Sequence, residues 1–424
     1  MNAQLNSSAI AMESPPARWG AFSYPAFTAI WAASIFLNIG NAMFDTSSAW
    51  LMTSLKADPV AVSLVQVAAT LPFVLFTLPA GALADLTDSR RLLIVAEIAA
   101  LVVIGIFATL VSLGRVTPVV LLLATFFLSA CISLSAPAWH SVIPLFVNRS
   151  ELDSAVTANG VGYNFSRAVG PALAGLAITR FGIPAPFWID CAACTVTIAA
   201  LIWWRTPRAR GKGLRRPPLA AAVSSGLRHT ANNPLLRATL MRAAAFLLFA
   251  SASWALLPLV ARSQMAQGPA CYGVLLAAIG VGAFGGSIGL GLVKHKVGRD
   301  GVVVFGTLGI ALALVLFGLA RVPVVAVCAS VIAGASSSAV LGSLHASAQS
   351  ALPDRVRARG LAIFLTAIFG SMTIGSAVWG RVAGMEGLPI AHFAAAAGAA
   401  LLIPLTLRWR LAPGVACDIS TSRP

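Results

Sequence analysis

The chain has 424 residues and a formal net charge of +16, yet only 10% of its residues are charged, 58% are hydrophobic and the mean hydropathy is +0.87. A soluble domain needs roughly a quarter of its residues charged to cover its surface, so a water-soluble enzyme is excluded and lipid is the expected solvent. The basic excess does not follow one soluble face, as nucleic-acid binding requires; it falls in short stretches between apolar runs, and no nucleic-acid partner is expected.

In chain order, residues 1–25 are polar and carry Arg18. They lack the basic start, short apolar core and small-residue cleavage site of a secretory signal, so the first apolar segment is expected to be a retained helix. A bilayer core of about 30 Å takes about 20 apolar residues in a helix. Segments of that length run at 26–50, 60–84, 92–113, 117–139, 156–179 and 184–204. They resume at 238–261, 270–293, 301–320, 322–345, 360–382 and 388–407. The expected fold is an all-α membrane protein of twelve transmembrane helices in two six-helix bundles, 26–204 and 238–407. A basic cytoplasmic linker, 205–237, joins them, and 408–424 is a cytoplasmic tail.

Of the 29 Lys and Arg residues, only Lys56, Arg115, Arg180, Arg262, Arg321 and Arg381 fall in one set of short loops. All the others except Arg167 and Arg242 fall in the opposite set or in the linker and termini. Basic loops stay on the cytoplasmic side, so both termini are expected in the cytoplasm of a bacterial inner-membrane protein.

The halves repeat one another. Gly81-Ala-Leu-Ala-Asp-Leu-Thr-Asp-Ser-Arg-Arg91 follows the second segment, and the loop opening at Gly291 follows the eighth, 210 residues later. His140 and His345 close the fourth and tenth segments, 205 residues apart. Transporters built of repeats place substrate near the midplane between them and rock the halves alternately.

Gly81-x-Leu83-Ala84-Asp85-x-x-x-x-Arg90-Arg91 resembles the hallmark loop of the major facilitator superfamily, and the resemblance extends over about residues 20–410. Ala49-Trp-Leu-Met-Thr-Ser-Leu55, Pro137-Ala-Trp-His140 and Asn164-Phe-Ser-Arg167-Ala-Val-Gly170-Pro171-Ala-Leu-Ala-Gly175 resemble the branch of bacterial exporters that includes the enterobactin exporter and macrolide efflux proteins. Leu86, Asp88 and Ser89 depart from the hallmark, which carries a basic residue, Gly and Arg there. The resemblance implies a gate in which Asp85, with Arg90 and Arg91, meets the start of the eleventh helix near Arg359 and Gly360 when the protein opens outward. An acid beside basic residues at the membrane boundary can make charge-assisted bonds in one state and release them in the other. The bland alternative is a solvated turn.

Asn38, Asn41 and Asp45 recur at three- and four-residue spacing, so they share one face of the first helix. A polar stripe on a membrane helix belongs to a cavity rather than to lipid, and a carboxyl group there can take and release a proton as access alternates. The alternative is a carboxylate kept wet at the outer interface. Arg167, halfway along the fifth helix with Asn164 on the same face, has no accessible neutral form and needs an acid or an anionic ligand. Asp45 is the expected partner, and a substrate carboxylate or catecholate is the alternative. Glu97 either belongs to a proton path or pairs with the gate arginines, the structural role being favoured. Gly170, Pro171 and Gly175 are expected to bend and thin the fifth helix. Arg242, near the cytoplasmic start of the seventh helix, either lines the pathway or marks the boundary, the boundary being favoured, and Asp190, in the outer part of the sixth, is expected as an interfacial residue rather than a proton carrier.

Other patterns resolve to packing. Cys191-Ala-Ala-Cys194 has redox or metal spacing but no companion ligands, so small apolar fillers are expected and no metal. Gly280-Val-Gly282-Ala-Phe-Gly285 matches a dinucleotide fingerprint without the preceding strand that fold needs. Its glycines fit close helix contact at 282/286 and 285/289. No Gly-x-x-x-x-Gly-Lys-[Ser/Thr] loop occurs, so ATP is not expected as fuel and no cofactor is implied. The expectation is a monomeric secondary transporter, not an enzyme, exporting siderophore-, drug- or metabolite-like molecules across the bilayer by proton antiport. An importer on the same fold and a non-transporting receptor or scaffold are the alternatives.

Overall fold

The computed structural model describes residues 20–204, 233–352 and 357–406, with 409 and 411. The side chains of 82, 84–86, 149, 290–296 and 357–359 lie outside that description, as do most of the expected linker and tail.

The N-terminal half consists of α1 (Pro25–Leu55), α2 (Pro59–Leu86), α3 (Ser89–Ser112), α4 (Pro118–Val142), α5 (Leu152–Phe181) and α6 (Ala185–Trp203). The C-terminal half opens with α7 (Pro234–Ala255), prolonged through Leu257–Leu259 and a π-helical turn, Val260–Gln264. One continuous stretch, Pro269–Leu319, then breaks at Gly298, whose φ of 69° suits a residue without Cβ. Its arms α8 and α9 cross as Pro269–Gly289 and Val297–Leu319. The half closes with α10 (Pro323–Ser350), α11 (Arg357–Glu386) and α12 (Leu388–Thr406).

Among the described residues, eleven helices are long and apolar enough to span a bilayer. The twelfth long helix, α5, has the length but carries Asp153, Asn159, Asn164 and Arg167 along it. A helix this polar is tolerated in a membrane only where its polar face meets protein or water. The lipid-facing surface is correspondingly apolar: Val95, Ile98, Val102 and Ile106 on α3 are exposed at three- and four-residue intervals, as are Phe305, Leu308 and Leu312 on α9.

The helix starts are written locally. Asp58, Asp88, Thr117 and Asn233 cap α2, α3, α4 and α7, each side-chain oxygen accepting from a backbone N–H of the first turn. Proline at the first position follows three of these caps and also opens α1, α8 and α10. Asp88, a departure from the hallmark loop, is thus the N-cap of α3, accepting from Arg90 N (2.9 Å) and Arg91 N (3.3 Å).

Within each half the helices approach through small residues. Gly170 lies against Ala42 and the Ile39 carbonyl of α1, and Gly40 lies against α6. Of the two glycine pairs on α8, Gly282 and Gly286 pack on Val331 and Ala335 of α10 with no room for a Cβ, whereas Gly285 and Gly289 have nothing within 4 Å. The close-packing expectation therefore holds for one pair and not for the other. The halves meet where α2 packs on α11 and α5 on α8.

Candidate transport pathway at the seam of the two halves

Because the helices cross alternately, the ends of α2, α4, α6, α8 and α10 lie on the face of the linker, here the linker face. The seam is joined on the other side. Near that opposite face, Trp50 of α1 stacks on Tyr272 of α8 at 6.0 Å between centroids, and the Arg262 guanidinium lies 5.5 Å from the Trp50 ring. Arg262 also donates to Thr53 Oγ1 (3.1 Å) and to Ser54. Gly380 of α11 lies against Ser63 of α2, and Gly175 of α5 lies against Pro269, Ala270 and Gly273. At mid-depth, Thr70 and Thr373 share a hydrogen bond of 2.7 Å, Phe73 stacks on Phe369 at 4.5 Å, and Ala168 packs on Gly280. Nearer the linker face, no described atom of a neighbouring element lies within 4 Å of where a Cβ would stand on Gly81, Gly160, Gly285 or Gly289. Among the described residues, every hydrogen bond and ring contact between the halves lies from mid-depth to the opposite face.

The sequence-marked polar residues line this seam. On α5, Gly162, Ser166 and Gly170 face α1, while Ala168, Pro171 and Gly175 face α8. Tyr163, Asn164 and Arg167 are exposed between those two packed faces. Arg167 rests 5.9 Å from the Tyr163 ring centroid, within cation–π range, and Asn164 donates to Gly160 O (3.0 Å). On α1, Asn38, Asn41 and Asp45 share a face between those used by α5 and α6. Asp45 is exposed and Asn38 and Asn41 are partly so.

Arg167 is the charge whose field reaches Asp45 most directly, but no hydrogen bond or ion pair within 4 Å joins them. The helix register explains the gap. Gly170 lies opposite Ala42, so Asp45 is level with about residue 173. At 1.5 Å per residue, that puts it roughly 9 Å nearer the opposite face than Arg167. The two expected partners share a cleft rather than a bond.

Glu97 is buried on α3 beside Trp139 and Cys194, away from the arginines. It shares with Asn41, Cys131 and Ser135 a cavity of about 10 Å³, room for one water. Arg90 donates to Leu201 O (2.8 Å) and Ile202 O (2.9 Å), capping the last carbonyls of α6. Arg91 is exposed. The Asp85 and Arg359 side chains of the expected gate lie outside the described residues. Helix α5 runs unbroken through Pro171.

Of the two residues expected at boundaries, Arg242 meets the linker-face ends of α9 and α12, whereas Asp190 packs against the middle of α1. Arg242 is buried, ion-paired with Asp300 and donating to Thr406 O (2.9 Å). Asp190 is wholly buried against Gly40, with neither carboxylate oxygen hydrogen-bonded. The signal for Asp190 was available in the sequence. Phe187, Asp190, Cys194 and Thr197 recur at three- and four-residue spacing, and all four are buried.

Two six-helix bundles meeting across a polar cleft, with helix pairs 2/11 and 5/8 forming the seam, and the family match that follows define a multi-pass membrane transporter of the major facilitator superfamily. The chain belongs to the MFS_3 family, described as transmembrane secretion effector, whose model matches residues 16–424. It is 22% identical over 370 residues to the multidrug efflux pump Tap of Mycolicibacterium fortuitum, covering 84% of this chain and 88% of that one. It is also 24% identical over 157 residues to the staphyloferrin A transporter of Staphylococcus aureus, covering 37% and 40%. Its fold is similar to that of the nucleoside transporter NupG, with a TM-score of 0.70 at 11% identity over 91% of this chain and 99% of that one. A bacterial homologue of the lysosomal transporter Spinster, inward-facing and occupied, gives 0.72 at 12% identity over 93% and 98%.

Proposed function

We propose that this protein is a secondary active exporter that moves small amphiphilic molecules, siderophore-, drug- or metabolite-like, out of the cell in exchange for protons. One observation carries the reading. Asp45 and Arg167, of opposite charge, face one cleft at the seam without pairing. The acid is therefore free to take a proton, and the guanidinium is free to take a carboxylate, catecholate or other acceptor group. Proton and substrate then bias the same two-state seam, which is what exchange requires.

The concentration of basic residues on the linker face supports a cytoplasmic linker and cytoplasmic termini in the inner membrane. On that orientation the described contacts between the halves lie toward the outside and at mid-depth, which is what the state in which an exporter loads requires. In the outward-open state Asp85 would meet the start of α11 near Arg359. Arg90, which holds α6 in the described state, would then be free to contribute. The names of the Tap pump and the staphyloferrin A transporter support the substrate classes.

Everted vesicles carrying the protein test this reading with a lipophilic fluorescent dye and a catecholate siderophore as probes. Uptake of either should be driven by an imposed proton gradient, collapse when the gradient is dissipated, and disappear in Asp45→Asn. Gradient-independent uptake would end the antiport reading; gradient-driven movement in the other direction would make the protein an importer.

A further inference from the structure

We infer that Asp190 is a second proton-carrying group of the N-terminal half, holding its proton in the described state and exchanging it with Asp45 and Glu97 as the halves rock and access to the cleft alternates. The inference deepens the antiport reading and rests on it.

Asp190 is 0% exposed, and both of its carboxylate oxygens lack a hydrogen-bond partner. It abuts Gly40 of α1 so closely that a Cβ there would collide with Oδ1 and lie 3.1 Å from the Asp190 Cα and the Ala193 Cβ. Glycine at position 40 thus makes room for the acid. The helices packed on α6 are α1, α3 and α5. The charged groups facing Asp190 from them are Asp45 of α1 and Glu97 of α3, both acidic. Cys191 and Cys194 flank it on α6 itself. Arg167 of α5 addresses Asp45 rather than Asp190.

An ionised carboxylate in that place would be out of water, unpaired and repelled by two further acids. The packing therefore suits the neutral acid, whose O–H proton can pass to water or to a base that reaches it. A purely structural position would be filled more favourably by an apolar residue of similar volume. The neighbourhood also offers a route. Cys194, one turn along α6, touches Glu97, and Glu97 opens onto the water-sized cavity shared with Asn41, next to Asp45's own face of α1. Passage along it breaks and forms O–H bonds and the Cys194 S–H bond, and no electrons are transferred.

Infrared spectroscopy of the purified full-length protein at neutral pH tests the assignment. A neutral carboxylic acid C=O band should be present, be lost in Asp190→Asn, persist in Asp45→Asn, and return shifted in Asp190→Glu. A band unchanged by Asp190→Asn would overturn the inference. The asparagine variant keeps the shape of the neutral acid, so its monodispersity and melting temperature should match wild type. A second arm follows the accessibility of cysteines engineered on the two faces as pH is varied. Wild type should shift between faces, and Asp190→Asn should lose that shift. If wild type shifts and the variant shifts equally, the role of Asp190 fails while the antiport reading stands. If wild type does not shift at all, the antiport reading fails and this inference falls with it, whatever the infrared band shows.

Discussion

Arg90 and Asp300 stand 210 residues apart at equivalent starts of α3 and α9, and each grips the chain leaving the last helix of its own half. Arg90 donates to the Leu201 carbonyl, and Asp300 accepts from the Leu411 amide, likewise 210 residues on. The offset between Gly81 and Gly291 in the sequence is therefore carried into a repeated tertiary contact, with the polarity of the side chain reversed. In the C-terminal half the positive charge comes instead from α7, as Arg242.

Asp300→Ala should lower the melting temperature of the detergent-solubilised protein, because it leaves the Arg242 guanidinium buried with only the Thr406 carbonyl. Breaking a buried pair costs about 3–5 kcal/mol. Asp300 is 43% exposed, which puts the loss toward the lower end. Arg242→Met combined with Asp300→Leu should recover much of the stability; no recovery would mean that the pair is not the cause.

Gly282→Leu and Gly286→Leu should each reduce the yield of folded protein, since their side chains would meet the α10 backbone. Gly285→Leu and Gly289→Leu should match wild type. Equal behaviour of all four in a size-exclusion and melting assay would refute the assigned face of α8.

Arg167→Lys should cut transport of an acidic substrate by about tenfold or more, about 1.4 kcal/mol, while leaving membrane insertion intact. A point charge cannot reproduce the guanidinium fork or its stacking on Tyr163. Full activity in a proteoliposome flux assay would remove Arg167 from substrate contact.

Arg262→Ala should loosen the joined side of the seam, where its guanidinium bridges Trp50, Thr53 and Ser54. A cation–π contact is worth about 0.5–2 kcal/mol, so labelling of a cysteine placed in the cleft, from the face opposite the linker, should rise by a few-fold or more. Unchanged labelling would show that the contact does not hold the seam.

Much of the fold was legible in the sequence. Twelve runs of membrane-spanning length, caps such as Asp58 and Asn233 with proline beside them, and the repeated loops at Gly81 and Gly291 specify helices and halves by local chemistry alone. In lipid every backbone polar group must be satisfied within its own segment, so apolar length translates directly into a helix. The shared faces of Asn38, Asn41 and Asp45, and of Asn164 and Arg167, also followed from spacing, because helical period is a local property.

The tertiary structure alone decided which faces meet. Spacing could pair Asp45 with Arg167, but the register of α1 on α5, set by Gly170 against Ala42, separates them along the helix axes. It likewise turned Arg90 toward the end of α6, Arg242 toward Asp300, and Asp190 inward onto Gly40. Charge placement along a sequence identifies groups that need partners; the close approach of helices through glycines determines which of them obtain one.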